Sequence, residues 1–275
     1  MRPGGLILTA LVFTLAAGAA EAEIDARNDR LRVMSLDQCA DQYVLALAPE
    51  SDLALSTRAD DPDAWLRAEA RGRRQTRGTL EDAVAFRPDV VVRYWGGEPR
   101  LLTALERRGV TVLTIADATD FDGIRANVRG VAAGLHASAK GEALISEMDA
   151  KLAQAGQPRA RKSAPQASAQ YLTAGGFTAG EGTLIHAMFA AAGLVNAATR
   201  PGYGAFSVEQ IALQPPLKFV LGFFDQLRAD WRGAGRHPVV RRASRTRTVA
   251  SLPAAVLTCP AWFAADGVAM MAGNP

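Results

Sequence analysis

The sequence has few of the residues and motifs that usually form a catalytic or metal site. Its three histidines, His136, His186 and His237, stand far apart, and none has a second ligand at the spacing of a zinc site. There is no phosphate-binding loop ending in Lys-Ser/Thr, no Gly-x-Ser-x-Gly turn and no His-Glu-x-x-His motif. We therefore predict neither a catalytic constellation nor a bare metal site. An exported α/β enzyme of unknown reaction stays open as an alternative.

A strong excess of one charge is also lacking, because the formal net charge is only +3 over 275 residues. Arginines do cluster at residues 71–77, 158–162 and 241–247. These clusters have no interleaved aromatics and lie far apart in the sequence, unlike a nucleic-acid-binding surface. We expect them on the solvated surface and predict no nucleic-acid partner.

Long apolar runs are confined to the first residues. Residues 6–17 are apolar, follow the positive Arg2 and are too short to span a membrane. Ala20-Glu21-Ala22 then offers a cleavage site with small residues at both ends. We predict a signal peptide at residues 1–22 and a soluble periplasmic protein. No cysteine follows the cleavage site, which argues against a lipid anchor.

Only two cysteines are present, Cys39 and Cys259. In an oxidising compartment an even number favours a disulfide, and this pair would close a very large loop. The residues lie in opposite halves of the chain, so both a bridge and two free thiols remain open.

Strand and helix patterns alternate through the rest of the chain, which predicts an α/β fold with parallel sheets and right-handed crossovers. One amphipathic stretch, Ser138–Ala155, repeats apolar residues at helical spacing, with Ser138 as a plausible N-cap. At 1.5 Å per residue it spans roughly 27 Å, enough to join two lobes. We predict an N-terminal lobe at residues 23–137, a spine helix at 138–156 and a C-terminal lobe at 157–275. A crossover helix inside one larger domain is the alternative.

One phrase occurs in both halves: a helix cap, a glutamate, an apolar helix, proline and a buried strand. It reads TLEDAVAFRPDVVV at residues 79–92 and SVEQIALQPPLKFV at residues 207–220. Two matched halves on either side of a spine helix are typical of a bilobal binding protein with two Rossmann-like lobes and a ligand cleft between them.

Aromatic residues are concentrated in segments predicted to follow strands. A cleft lined by flat rings suits a large, partly apolar ligand such as a macrocycle or metal chelate. The residues are Tyr94, Trp95, Phe177, Tyr203, Phe206, Trp262 and Phe263.

Four segments, in this order and spacing, resemble the periplasmic binding proteins of ABC importers for cobalamin, ferric siderophores or haem. They are RVMSLDQCADQYVLALA (32–48), TLEDAVAFRPDVVV with RYWGG (79–97), GFTAGEGTLIHAMFAAAGLVN (176–196) and YGAFSVEQIALQPP (203–216). The resemblance covers nearly all of the mature chain. It implies a monomeric protein that performs no reaction, needs no cofactor, and carries a chelate to a membrane permease.

The resemblance also implies roles for particular residues. Glu81 and Glu209, one on each lobe, match the glutamates that dock on arginines of the permease. Stabilisation of a helix N-terminus is the alternative explanation of both, and their equivalent placement in the two halves favours docking. The positions implied or predicted to contact ligand are Asp37, Gln38, Cys39, Tyr94, Trp95, Phe177, Tyr203, Phe206 and Trp262.

The sequence leaves the chelate open. Cobalamin or a ferric siderophore is our first expectation. A haem-specific protein is the alternative, and its axial ligand would be Tyr94, Tyr203 or Tyr171, because no histidine lies in a predicted cleft loop.

Overall fold

A computed structural model describes residues 30–156, 167–226 and 232–273. The sequence also predicts a basic, proline-bearing linker at residues 157–166 and a helix at residues 225–231. The predicted signal peptide, this linker and most of this helix lie outside the described residues. In the part that is described, no helix is long and apolar enough to cross a membrane.

The N-terminal lobe is built on a five-stranded parallel sheet with the strand order β3-β2-β1-β4-β5. Its central strands are runs of apolar residues buried on both faces, as expected when helices cover both sides of a parallel sheet. The strands are β1 (Arg32–Ser35), β2 (Asp52–Ser56), β3 (Gln75–Thr76), β4 (Val90–Arg93) and β5 (Thr111–Thr114).

Helices connect these strands, and most begin at a side-chain cap. Asp37 caps the first, and Thr79 forms a reciprocal capping box with Asp82 at the third. The helices are α1 (Gln38–Leu47), α2 (Arg67–Ala70), α3 (Leu80–Phe86), α4 (Pro99–Glu106) and α5 (Phe121–Gly134).

The C-terminal lobe contains a four-stranded parallel sheet with the order β11-β10-β6-β8 and a separate two-stranded antiparallel ribbon of β7 and β9. The strands are β6 (Ser168–Thr173), β7 (Phe177–Ala179), β8 (Val195–Asn196), β9 (Tyr203–Ala205), β10 (Lys218–Gly222) and β11 (Thr248–Leu252). The glycine-rich sequence around the two ribbon segments, at residues 174–180 and 201–206, predicts loops. The ribbon segments are instead short strands that pair with each other across more than twenty residues.

The remaining helices follow the same alternation. Thr183 and Ser207 are the N-caps of two of these helices, each directly before an apolar helical segment. The helices are α7 (Leu184–Ala191), α8 (Val208–Leu213), α9 (Pro238–Ser244), α10 (Ala254–Leu257) and α11 (Ala264–Met271), with a 3-10 turn at Ala234–Arg236.

The spine helix, α6, runs from Ser138 to Ala155 and confirms the predicted joining helix. It packs against α5 of the N-terminal lobe and α11 of the C-terminal lobe. The predicted N-cap was wrong by one residue. Ser138 already lies inside the helix, and the capping position is Ala137, which offers no side-chain acceptor.

Ion pairs fasten α6 to both lobes. Lys140 contacts Glu50 at 2.6 Å on the N-terminal side, whereas Lys151 contacts Asp266 at 2.7 Å on the C-terminal side. The side chains are partly exposed, so each pair stabilises the arrangement by less than about 1 kcal/mol. These ion pairs therefore contribute little to the stability of the joint between α6 and the lobes.

The stronger connection is apolar. One continuous core cluster contains side chains of both lobes and of α6, including Tyr43, Met148 and Phe263. Trp65 of the N-terminal lobe stacks on Phe263 with centroids 5.1 Å apart, and Tyr43 meets Trp262 edge-to-face at 5.4 Å. Because the two lobes share a core at their base, large hinge movements would expose buried rings.

Candidate functional site

The cleft lies where the carboxyl ends of the two parallel sheets face each other, the usual ligand position in such folds. On the N-terminal wall, Tyr94 and Trp95 follow β4 directly, and Asp117 follows β5. Trp95 is 57% exposed despite its size, so its ring is open for contact with a ligand.

Asp37 positions this wall from below. One carboxylate oxygen accepts the amides of Cys39 and Ala40 at the start of α1, at 3.1 and 3.0 Å. The other accepts the amides of Tyr94 and Gly96, at 2.7 and 2.9 Å. Asp37 is 2% exposed. The structure therefore makes it the group that positions the Tyr94 loop, beneath the cleft surface.

Gly96 is required for this close approach. A Cβ at Gly96 would lie 2.4 Å from the Leu36 carbonyl oxygen, which is too close for any other residue. The Tyr94-Trp95-Gly96 turn is thus fixed by both its hydrogen bonds and its packing.

The Tyr94 hydroxyl donates a hydrogen bond to the Asp117 carboxylate. Burial and this hydrogen bond raise the pKa of Tyr94, so its side chain is a neutral phenol in this state. The hydrogen bond to Asp117 fixes the direction of the Tyr94 hydroxyl. Coordination to a metal would replace the hydrogen bond.

The opposite wall is the β7–β9 ribbon. Its register pairs Phe177 with Ala205 and Ala179 with Tyr203, which places Phe177 and Tyr203 on one face of the ribbon. They are 55% and 68% exposed. Two large rings on one face of a short ribbon form an open aromatic surface.

The two walls lie within electrostatic range of each other. Partial burial, followed by the charge of Asp117, raises the pKa of Tyr203 although much of its ring is exposed. Tyr203 in turn contributes to the raised pKa of Tyr94. The Tyr94 and Tyr203 phenols, which belong to different lobes, are therefore close enough to interact electrostatically.

A polar bridge closes the floor between the lobes. Asp63 accepts a hydrogen bond from Gln38 of α1 and another from Gln226 of the C-terminal lobe, both at 3.0 Å. Gln38 is 1% exposed and its Oε1 has no hydrogen-bond partner in the described part of the chain. Its predicted ligand contact would have to come through this single free acceptor.

The predicted ligand residues Cys39 and Trp262 lie in the joint between the lobes. Cys39 is bonded to Cys259, with Cα atoms 5.4 Å apart, and both are buried. Trp262 is 8% exposed and packs on Tyr43, whose hydroxyl donates to the Pro260 carbonyl at 2.8 Å. The disulfide and the Trp262 ring therefore connect the two lobes.

Two further aromatic residues lie away from the open walls. Phe206 is partly buried against a core cluster of the C-terminal lobe. Tyr171, a candidate axial ligand, is 2% exposed in β6, and its hydroxyl lies close to Gly222. Of the three candidate tyrosines, only Tyr94 and Tyr203 face the cleft.

The predicted docking residues are both exposed on the first turns of equivalent helices. Glu81 lies on α3 and Glu209 on α8. The backbone amide of Glu209 and the Ser207 hydroxyl, which donates to it at 2.8 Å, lower the pKa of this carboxyl. Glu209 is therefore held as a charged group.

Asp63 and Asp117 were missed by reasoning from the sequence. Asp117 follows a predicted strand, so its position after β5 was the available signal. Nothing in the local sequence marked Asp63, because its partners are 25 and 163 residues away. Among the described residues, no group of three or more His, Cys, Asp or Glu side chains is placed to hold a metal ion.

Comparison with solved structures identifies the architecture. The periplasmic haem-binding protein BhuT, solved with two haems, is 24% identical with a TM-score of 0.68, covering 88% of this chain and 97% of that chain. RhuT from Roseiflexus sp. RS-1, a periplasmic haem-binding protein in apo form, is 21% identical with a TM-score of 0.66, covering 89% and 99%. HutB of Vibrio cholerae, also a periplasmic haem-binding protein, is 15% identical with a TM-score of 0.64, covering 89% and 99%. Because these sequence identities are low, the structural similarity establishes the bilobal fold alone.

A search of curated protein sequences found no significant match. The family model described as periplasmic binding protein matches residues 34–230, well over half of the chain. Members of this family are periplasmic, bind a small-molecule ligand and deliver it to an ABC-importer permease. The chain therefore belongs to the periplasmic binding protein family.

Proposed function

We propose that this protein binds haem between its lobes, with the Tyr94 oxygen as an axial iron ligand, and delivers it to an ABC permease. The observation that carries the proposal is the position of Tyr94 directly after β4, with its hydroxyl oriented by Asp117 and the exposed ring of Tyr203 on the ribbon of the other lobe. Trp95 and Phe177 add exposed flat rings to the same cleft. Rings of this kind suit the face of a planar macrocycle.

Coordination chemistry favours haem over the other two chelates. Haem iron has free axial positions, and tyrosine oxygen is one of its known protein ligands. In a ferric siderophore or in cobalamin, the metal already carries a full set of ligands. A phenol directed into the cleft can therefore coordinate the metal directly in haem, whereas it could only hydrogen-bond to the other two chelates. The haem-binding names of BhuT, RhuT and HutB agree with this choice at the level of fold analogy.

Titration with haemin tests the ligand. We expect a saturable shift of the haem absorption band with the purified mature protein. Tyr94→Phe should lose the spectral signature of tyrosine ligation and bind haemin at least tenfold more weakly. Tyr203→Phe is the matched control, because it removes the other cleft hydroxyl and should keep that signature.

The same titration includes the competing ligands. Cyanocobalamin and ferric complexes of a hydroxamate and a catecholate siderophore should not bind with comparable affinity. Binding of one of these without binding of haemin would overturn the haem proposal. Loss of the tyrosine signature in Tyr203→Phe but not in Tyr94→Phe would overturn the assignment of the ligand.

Delivery is tested separately from capture. We propose that Glu81 and Glu209 dock on the permease, because each is exposed at the same place in a repeated helix, one per lobe. Replacing both by lysine should abolish uptake of haem iron in the source bacterium while haemin affinity in vitro is unchanged. Glu147→Lys, an exposed glutamate on α6, is the control. Uptake that persists in the double variant would remove the docking role.

A further inference from the structure

The large apolar side chains exposed on this protein fall into two main groups. One group, Trp95, Phe177 and Tyr203, belongs to the cleft. Four of the other five lie on or beside the two glutamate-bearing helices, namely Leu80, Val84, Leu213 and Leu217. The last, Val195, lies elsewhere, in β8. Leu80 and Val84 line a groove beside the first of these helices, whereas Leu213 and Leu217 lie beside the groove of the second and not in its lining.

Each of these helices also borders an open groove. In the N-terminal lobe a depression of about 460 Å³ lies between α3 and the end of α4, and its apolar lining includes Leu80, Val84, Leu105 and Val110. In the C-terminal lobe a depression of about 480 Å³ lies between α8 and α9, lined by Ile211, Pro215, Pro238 and Val239. We call these two depressions the N-socket and the C-socket.

The sockets are equivalent positions of the repeated phrase. When TLEDAVAFRPDVVV is aligned with SVEQIALQPPLKFV, Ala83, Val84 and Arg87 correspond to Ile211, Ala212 and Pro215. All six of these residues line the sockets. Two of the three aligned pairs are apolar in both lobes, and the third replaces Arg87 by Pro215. Two similar grooves at corresponding places in two similar lobes suit a partner that presents the same surface twice.

The charges around the sockets describe that partner further. Glu81 and Glu209 precede the socket residues by two to three positions on α3 and α8. Arg87 and Arg108 border the N-socket, and Arg242 and Arg247 border the C-socket. A matching surface therefore carries an apolar side chain with a basic group toward the glutamate and an acidic group toward the arginines.

We propose that the N-socket and the C-socket each receive an apolar side chain from the same membrane permease that Glu81 and Glu209 contact. This inference rests on the proposed delivery function and adds an apolar component to it. The carboxylates alone would give a salt-sensitive contact, whereas burial of side chains in both sockets would give a contact that persists at high salt.

A site-specific photo-crosslinking experiment tests the sockets. A photoreactive amino acid is placed at Val84 or at Ala212, which are exposed and correspond in the alignment, in the full chain expressed in the source bacterium. The matched control is Val195, which is 44% exposed and belongs to neither socket. We expect both socket positions, and not position 195, to crosslink to the same integral inner-membrane protein, identified as an ABC permease subunit.

Four results would overturn the proposal: no product, a product from one socket only, equal labelling from position 195, or a product consisting of two copies of this chain. Haemin titration of the same proteins separates the two proposals. Crosslinking without haemin binding would support the docking surface and refute the haem proposal. Haemin binding and active uptake without crosslinking would refute the proposal about the sockets and leave the haem proposal standing.

Discussion

Removal of the Cys39–Cys259 disulfide measures how strongly the two lobes depend on their covalent link. The bond joins the first turn of α1 to the segment after α10, across 220 positions of sequence. In the unfolded chain it would close almost the whole protein into one loop. The chain-entropy model assigns about 5 kcal/mol to a loop of this length, near the upper end of what disulfides contribute.

Two local effects modify this value. Both cysteines are buried, at 1% and 4% exposure, so replacement by alanine also leaves a small cavity. The Tyr43–Trp262 ring contact also joins the two lobes, and it does not depend on the sulfur atoms. Engineered bonds usually contribute less than the entropic value, so we expect the Cys39→Ala/Cys259→Ala variant to lose about 3–5 kcal/mol.

Calorimetry measures the loss. At about 2–4 °C per kcal/mol for a chain of this size, the Tm of the double variant should lie about 10 °C below that of the oxidised wild type and should not change when a reductant is added. Each single variant should fall about as far as the double variant, because either one removes the bond. A double variant that melts within about 2 °C of the wild type would refute the reasoning. So would two titratable thiols in the denatured, unreduced wild-type protein.

Three other substitutions test the buried polar groups. Burial raises the pKa of Asp41 from 3.8 to about 6, so the folded protein binds this proton more tightly than the unfolded chain does. The contribution of the protonated carboxyl to the free energy of unfolding is therefore complete below pH 3.8 and is lost as the pH rises through 6. Asp41→Asn should therefore gain up to about 3 kcal/mol relative to wild type between pH 4 and pH 7 in urea unfolding; an equal difference at both pH values would contradict this. Asp37→Asn should lose about 2–4 kcal/mol and weaken haemin binding, because both oxygens of Asp37 accept amides and the amide nitrogen cannot; an unchanged urea midpoint would contradict the role assigned to it. Tyr43→Phe should lose about 1–2 kcal/mol in the same assay by leaving the Pro260 carbonyl without its donor, and no loss would mean that water replaces the hydroxyl.

Several features could be predicted from short stretches of sequence. The Val90–Arg93 strand is a continuous apolar run, and the Ser138–Ala155 helix has apolar residues at helical spacing. Thr79, Thr183 and Ser207 cap helices as their positions before apolar runs predict. Such signals are local, because hydrogen bonding to the next turn and burial of one face depend on residues a few positions apart.

The candidate site was less predictable, because it depends on contacts between distant residues. Tyr94, Trp95, Phe177 and Tyr203 were predicted at the cleft because they follow strands or lie in glycine-rich segments. The pairing of β7 with β9 was not predicted, since three-residue strands carry almost no periodicity. That pairing is what places the Phe177 and Tyr203 rings on one face.

The sequence by itself determined the α/β alternation, the spine helix and the two matched glutamate helices of this protein, because each follows from the order of polar and apolar residues along a few turns or strands. Only the tertiary structure decided that Cys39 meets Cys259, that Trp262 lies in the joint between the lobes, and that Asp117 receives the Tyr94 hydroxyl. These contacts join residues 23 to 220 positions apart, and chain folding, rather than local pattern, brings them within bonding distance.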